Sequence, residues 1–311
     1  MSSTICRCDQ APYNTGVPNS ASKVIDQAVI LVLVMLKTDA GAYNSIASGA
    51  VLNQAYLDAK TQHADESVRW YPLGFKRLQN VVTERAESAT VSYDTGNSAK
   101  TTQGVRKFSG IFSGSGADVQ AILDSFKCKS IGFYAVGKCG NIIGTVASDG
   151  SLRPTPIFTG SLETIMEQGG SSDRAGGIML SFEVEQLVKD SQLGYVADSA
   201  ITGDLLNLSG LIEAIPVASN ISQTGFKLAI DTLSGAFDDK VPVEGLVLVD
   251  FTVYNVTDAL SITVTSVTEA TAGVYTFVIP SQTVADVVRV TGATGALAKN
   301  FFVEETLITI V

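Results

Sequence analysis

The chain has 311 residues, more than a single hydrophobic core ordinarily serves, and its length points to two domains or three small ones. Hydrophobic residues make up 45% and charged residues 17%, which excludes disorder driven by excess charge. With 21 basic and 31 acidic residues the net charge is −10, which disfavours a duplex-binding protein that draws its affinity from neutralised phosphates, and a single histidine removes most familiar catalytic and metal-site patterns.

The opening stretch, Met1 to Asn19, is polar, carries Arg7 and has no apolar core. It does not read as a secretory signal, so the chain is expected to stay where it is made. The most apolar segment, Ala28 to Leu36, covers only about half of the ~20 residues a membrane-crossing helix needs. Its β-branched residues recur at alternate positions, as in a strand covered on both faces. Ala50, Val51, Ala55, Tyr56 and Ala59 then recur at helical spacing and predict one inward stripe. His63 follows beside Asp65 and Glu66; it has no nucleophile or orienting partner nearby, and an exposed, solvated role is expected. Residues 1–64 therefore read as an arm, a strand and a helix packing on the next domain.

Residues 65–198 read as a mainly β domain. Val91 and Tyr93 lead into a polar loop, Asp94 to Thr102, and Val105 to Phe112 returns, so the segment predicts a long hairpin with an extended tip. The tip, with Asp94, Gly96, Asn97, Ser98, Lys100 and Thr102, lacks apolar groups to pack on its own domain. It is the candidate inter-subunit contact element. A helix is predicted from Ala117 to Lys127, with Val119, Ile122, Leu123 and Phe126 on its buried face. Gly110, Gly114 and Gly116 before it spell neither GxGxxG nor GxxxxGK[ST], so a strand-to-helix bend is expected there and not a phosphate loop. Ser130 to Val136 and Ile142 to Ala147 form a predicted hairpin. Ile178, Leu180, Phe182 and Val184 alternate with more polar residues as a half-buried antiparallel strand.

Cys6, Cys8, Cys128 and Cys139 form no CxxC pair, which argues against a zinc site. Free thiols are expected, with a Cys128–Cys139 disulfide left open because sequence does not report their separation. Residues 199–240 read as a connector with a short apolar stretch around Leu205, Leu208, Leu211 and Ile212. Residues 241–311 are dense in strands: Ser261, Thr263 and Thr265 oppose Ile262 and Val264, and Tyr275, Phe277 and Ile279 share a face. An immunoglobulin-like sandwich is expected, with no cysteine or histidine and little means for acid, base or nucleophilic chemistry. No catalytic residue, metal-ligand set or cofactor motif is expected anywhere in the chain.

The run Gly104, Val105, Arg106, Lys107, Phe108, Ser109, Gly110, then the helix, then Cys128 to Tyr134 and Gly140 to Gly144, resembles the tail tube protein family of long-tailed phages and related injection machines. The later Leu180, Ser181, Phe182, Glu183 follows the same outline. The resemblance implies a mainly β fold: a tail-tube-like sandwich or barrel with one flanking helix, here carrying the additional immunoglobulin-like sandwich. It also implies rings of six subunits stacked into a hollow tube, located in the virion tail and made in the host cytoplasm. Its partners would be the chain itself, other virion proteins and DNA passing without specific binding, with no membrane and no cofactor. An acidic wall would repel phosphate over about 8–10 Å and leave the polymer free to slide. Alternatives are a neck, baseplate or capsid-surface protein, a surface adhesion module, and last, for want of a catalytic set, an enzyme.

Overall fold

The computed structural model describes residues 28–74, 77–87, 89–92, 98–102, 104–113, 116–138, 140–167, 176–188, 190–196, 198–233 and 240–311. The chain is mainly β and divides into two compact units, Met1–Ser209 and Gly210–Val311.

The first unit opens on β1 (Ala28–Met35), the short helix α1 (Gln54–Thr61) and β2 (Trp70–Pro72). A hairpin follows, built from β3 (Leu78–Arg85), β4 (Ala89–Ser92), β5 (Ser98–Thr102) and β6 (Arg106–Ser113). Helix α2 (Ala117–Asp124) leads into β7 (Ile131–Gly137), β8 (Ile142–Val146), β9 (Leu152–Arg153) and β10 (Thr155–Pro156). The strands β11 (Glu163–Glu167), β12 (Gly177–Val184) and β13 (Leu193–Tyr195) complete the unit.

Two antiparallel sheets carry it. One runs β13-β8-β7-β1-β2, with β9 on β8 and β10 on β7; the other runs β11-β12-β6-β3. The alternation of β6 and β12 sends Phe108 and Phe182, paired across the strands, inward against Phe133 of β7. Phe108 and Phe182 stack at 4.7 Å and Phe133 meets Phe182 edge-on at 5.0 Å, so one aromatic cluster joins the two sheets. Val119 and Leu123 of α2, with Phe126 of the turn after it, close the same core. On its opposite face the β1–β7–β8 sheet buries Ile30, Val32, Val34, Tyr134 and Ile142 against Leu57 of α1, the loop residues Ile46 and Leu52, and Leu205 of a short 3-10 turn. β1 is thus covered on both faces, as its unbroken apolar run requires.

Several local expectations change. The inward stripe of α1 is Leu57 and Thr61, while Val51, Ala55 and Ala59 are exposed, because the helix starts only after Asn53, whose side chain caps Tyr56 N–H. Helix α2 ends at Asp124, where bonds from Phe126 to Leu123 and from Lys127 to Asp124 tighten the chain into a turn. Ile122 is 52% exposed, on the flank of the buried stripe.

The second unit holds β14 (Ile212–Ser222), β15 (Gly225–Leu233), β16 (Lys240–Pro242), β17 (Phe251–Asn255), β18 (Leu260–Ser261) and β19 (Ser266–Thr271). It continues through β20 (Val274–Val278), β21 (Val287–Gly292), α3 (Thr294–Ala298), β22 (Phe301–Val303) and β23 (Thr306–Thr309). A six-stranded sheet, β19-β20-β15-β14-β22 with β16 on β15, and a four-stranded sheet, β18-β17-β21-β23, share one core. The stretch expected as a connector therefore supplies β14 and β15, central strands of the larger sheet, and the boundary between the units falls after Ser209. The strand expected through Thr265 is only the two-residue β18, because Ile262 to Thr265 lie outside any ladder. Tyr275, Phe277 and Ile279 share a buried face as their alternation requires.

Phe277 is 1% exposed, stacked on Phe226 at 4.9 Å and edge-on to Phe251 at 5.0 Å. Phe277→Ala is expected to destabilise the second unit by about 3–5 kcal/mol in denaturant unfolding, the cost of a cavity in a close-packed core.

Candidate functional site

The hairpin is the first candidate. Ladder pairing runs from Leu78↔Phe112 out to Arg85↔Arg106, passes through the bond from Ala86 N–H to Val105 O, and resumes from Ala89↔Thr102 to Ser92↔Ser98. The outer part, β4 with β5, is a two-stranded ribbon separate from the four-stranded sheet. Of the residues expected in a polar loop, Ser98, Lys100 and Thr102 stand in β5, opposite Ser92, Thr90 and Ala89. The arm is thus strand where loop was expected, because the backbone of β4 pairs antiparallel with β5 from Ala89↔Thr102 to Ser92↔Ser98. Asp94, Gly96 and Asn97 lie outside the described residues.

Where the ribbon meets the sheet, the backbone closes so tightly that only glycine fits. A Cβ on Gly104 would stand 1.7 Å from Ala86 O and 2.9 Å from Glu87 O. The Arg85 guanidinium donates to Gly104 O at 2.7 Å and fastens the same point. Sequence reasoning placed Gly104 in a motif without seeing this role, since the clash comes from a residue across the hairpin.

The second candidate is the four-stranded sheet itself. Its face away from the aromatic cluster carries Glu84, Lys107 and Glu183 in one row and Val82, Ser109, Ser181 and Glu163 in the next. Lys107 pairs with Glu183 at 3.2 Å, and the rows line a groove of about 570 Å³. The sheet ends on β3 and β11, and among the described residues neither pairs with a further strand. Val82 on β3 is 44% exposed and Ile165 on β11 is 48% exposed. A bulge between Gln79 and Val82, with Asn80 at φ 50°, confines the regular open edge of β3 to Val82–Arg85. On β11 one edge carbonyl, Thr164 O, accepts from Gln120 Nε2 of α2.

Asp124 at the end of α2 accepts from Thr164 Oγ1 and pairs with Lys127 at 2.9 Å. The hydrogen bond from Thr164, then the contact with Lys127, hold its carboxyl below the usual aspartate range.

His63 is partly buried, and its Nδ1 accepts from Asp65 N–H at 3.1 Å. Its carbonyl accepts from Arg69 Nε at 2.7 Å, so it belongs to a locked turn. Cys128 is an exposed free thiol just beyond α2; Cys6, Cys8 and Cys139 lie outside the described residues. Among the described residues no group of three or more His, Cys, Asp or Glu could hold a metal ion, and no helix is long and apolar enough to cross a membrane.

Gly104→Ala is expected to speed hydrogen exchange of the β4 and β5 amides while the core of the first unit stays protected, at a cost of about 1–3 kcal/mol or more. The Asp124 contact gives a pH dependence of defined sign. Because its folded-state pKa is depressed, the contact stabilises above the unfolded value of about 3.9 and is lost as pH falls through the folded one. Acid titration is expected to loosen α2 in that window, and Asp124→Asn to remove that part of the pH dependence, read as amide hydrogen exchange of α2 and of the turn that carries Phe126, whose ring packs on Tyr71.

Set beside known proteins, the chain matches no protein-family model, no curated protein and no solved structure.

Proposed function

We propose that this protein is a self-assembling structural subunit of a virion tail tube, whose copies form stacked rings around a channel for DNA. The observation that carries the reading is the four-stranded sheet whose end strands, β3 and β11, each have one edge without a strand partner among the described residues. An open strand presents a row of unsatisfied N–H and C=O groups, which in a lone molecule invites uncontrolled pairing. Joined edge to edge in a closed ring, the same sheets satisfy one another and leave no edge. Because the four strands alternate in direction, β3 of one copy would meet β11 of the next antiparallel, so the pattern continues unbroken around the ring.

The hairpin supports the second level of assembly. A ribbon that leaves its sheet reaches beyond the ring plane and serves a heterologous contact, which propagates into a filament. Charge is consistent with a conduit: Glu84, Glu163 and Glu183 outnumber Lys107 on the open face of the sheet, and such a wall repels phosphate. The resemblance of Gly104–Gly110 and Leu180–Glu183 to tail tube proteins falls on the two central strands of this sheet. The second unit would then be a surface module of the particle.

Electron microscopy of the purified protein tests the reading; long hollow tubes are expected, and persistent monomers at high concentration would overturn it. Two variants separate the levels of assembly. Since Ala86 N–H bonds inward to Val105, alternation leaves the N–H of Thr83 pointing out of the sheet. Thr83→Pro is expected to keep the fold, as edge strands tolerate proline on their outward side, and to prevent ring closure. Replacing residues 89–102 by a two-glycine turn is expected to leave rings that do not stack.

A further inference from the structure

A cleft of about 1060 Å³ in the first unit is separate from the open-edged sheet and from the arm. It is assembled from segments far apart in the chain. The turn after β1 is closed by bonds from Thr38 N–H to Ala42 O and from Gly41 N–H to Thr38 O, with Gly41 at φ +83°. A bridge between Lys37 and Tyr43 follows. Asn44 Nδ2 ties this turn to Met35 O at 2.8 Å and to Ser67 O at 2.6 Å. β9 brings Arg153 to the same place.

The Tyr43 ring is 51% exposed, and two cations stand over it: Arg153 at 4.5 Å and Lys37 Nζ at 4.8 Å from its centre. Lys129 also lines the cleft. None of the three forms an ion pair among the described residues. Arg153 Nε is buried and has no hydrogen-bond partner, an arrangement that native structures rarely leave without a use. Two like charges beside one ring and an orphaned guanidinium donor together call for an anion.

The rest of the lining says which kind. Asp39, Glu66 and Glu185 share the cleft, and they would oppose the dense charge of a polyphosphate while accepting amide donors. Asp65 is engaged within the wall, accepting from Ser67 Oγ at 2.7 Å and Ser67 N–H at 2.8 Å. Met35, Pro154, Pro156 and Val188 supply apolar surface between the charges. The volume is at the upper end of the roughly 300–1000 Å³ usual for small-ligand pockets and accommodates several residues of a chain. We propose that this cleft binds a carboxylate-bearing peptide segment, its acid seated on Arg153 and Lys37 beside the Tyr43 ring. The assignment stands whether or not the protein builds a tube, and the segment can belong to a second copy or to another polypeptide.

The test uses the full chain and a fluorescein-labelled peptide, Ala-Leu-Asp-Glu-Leu-Ala, acetylated and amidated at its ends, in anisotropy titrations. Saturable binding is expected, weakened about tenfold by Arg153→Gln and by Lys37→Gln and recovered in part by Arg153→Lys, the share of a charge-assisted hydrogen bond. Lys138→Gln, exposed and outside the cleft, leaves binding unchanged. Circular dichroism of each variant verifies the fold, and Lys37→Gln decides the matter if Arg153→Gln unfolds. Equal binding of the Asn-Gln version of the peptide, no effect of either substitution, or tighter binding of inorganic tripolyphosphate would each overturn the proposal. Sedimentation of the unliganded protein distinguishes the sources: self-association lost in Lys37→Gln supports a second copy, and unchanged self-association together with peptide binding supports another polypeptide.

Discussion

The stack of Phe108 on Phe182, with Phe133 set edge-on against it, decides what every other residue of the four-stranded sheet does. These rings hold the register of β6 against β12, and a strand has a side-chain period of two, so a slip by a single residue would turn the aromatic face outward and bury Lys107, Ser109, Ser181 and Glu183. Burying Lys107 and Glu183 without water is costly, while burying the phenylalanines is strongly favourable, and both terms select the same register. The polar, net acidic open face is thus a direct consequence of the core beneath it. A reading in which that face lines a channel therefore draws on the same interaction that stabilises the monomer.

The two units treat their sheet edges differently. In the second unit, β18, β22 and β23 are edge strands of two to four residues, too short to template much pairing. Its longer edge strand, β19, is interrupted by a bulge between Glu269 and Thr271, and the Glu269 carboxylate folds back to accept from Gly245 N–H at 3.0 Å and Gly273 N–H at 2.9 Å. Those two backbone bonds hold the Glu269 carboxyl below its usual range. In the first unit the bulge of β3 falls at its inner end and leaves Val82–Arg85 regular, directly before the arm. The contrast places the capacity for ordered pairing in the first unit, beside the hairpin that would make the second contact.

Much of the core could be read from sequence, and the reasons are local. β1 is an unbroken apolar run, β12 alternates cleanly, and Tyr275, Phe277 and Ile279 repeat with strand period, so burial follows from pattern alone. β14 and β15 were hidden because β14 carries Pro216 opposite Ile230, polar residues interrupt it near Asn220, and half of its side chains face solvent. Its strand character comes from partners that include the parallel β22, some ninety positions on, which no window along the chain reveals. The arm was half legible: the hairpin follows from flanking strands, but pairing of β4 with β5 depends on cross-strand contacts that weak local preference does not announce. The cation pair over Tyr43 was not legible at all, since Lys37, Tyr43 and Arg153 look like ordinary surface residues until the turn after β1 and β9 converge.

The hairpin arm and the edge of β3 are also mechanically one object, and this bears on how assembly would be ordered. β3 continues through Ala86 into β4, and the Arg85 side chain holds Gly104 O at the junction, so the strand that in the proposed ring would offer its edge to a neighbour is the one from which the ribbon extends. A neighbour that pairs with Val82–Arg85 removes solvent from one side of the junction and restricts the swing of the ribbon beyond it. Ordering the ribbon costs conformational entropy of about 1–2 kcal/mol per residue fixed, and any part of that already met in the ring is no longer opposed when a second ring arrives. Lateral closure would thereby favour axial stacking through a shared strand, without a change of fold in either sheet, and rings would precede filaments.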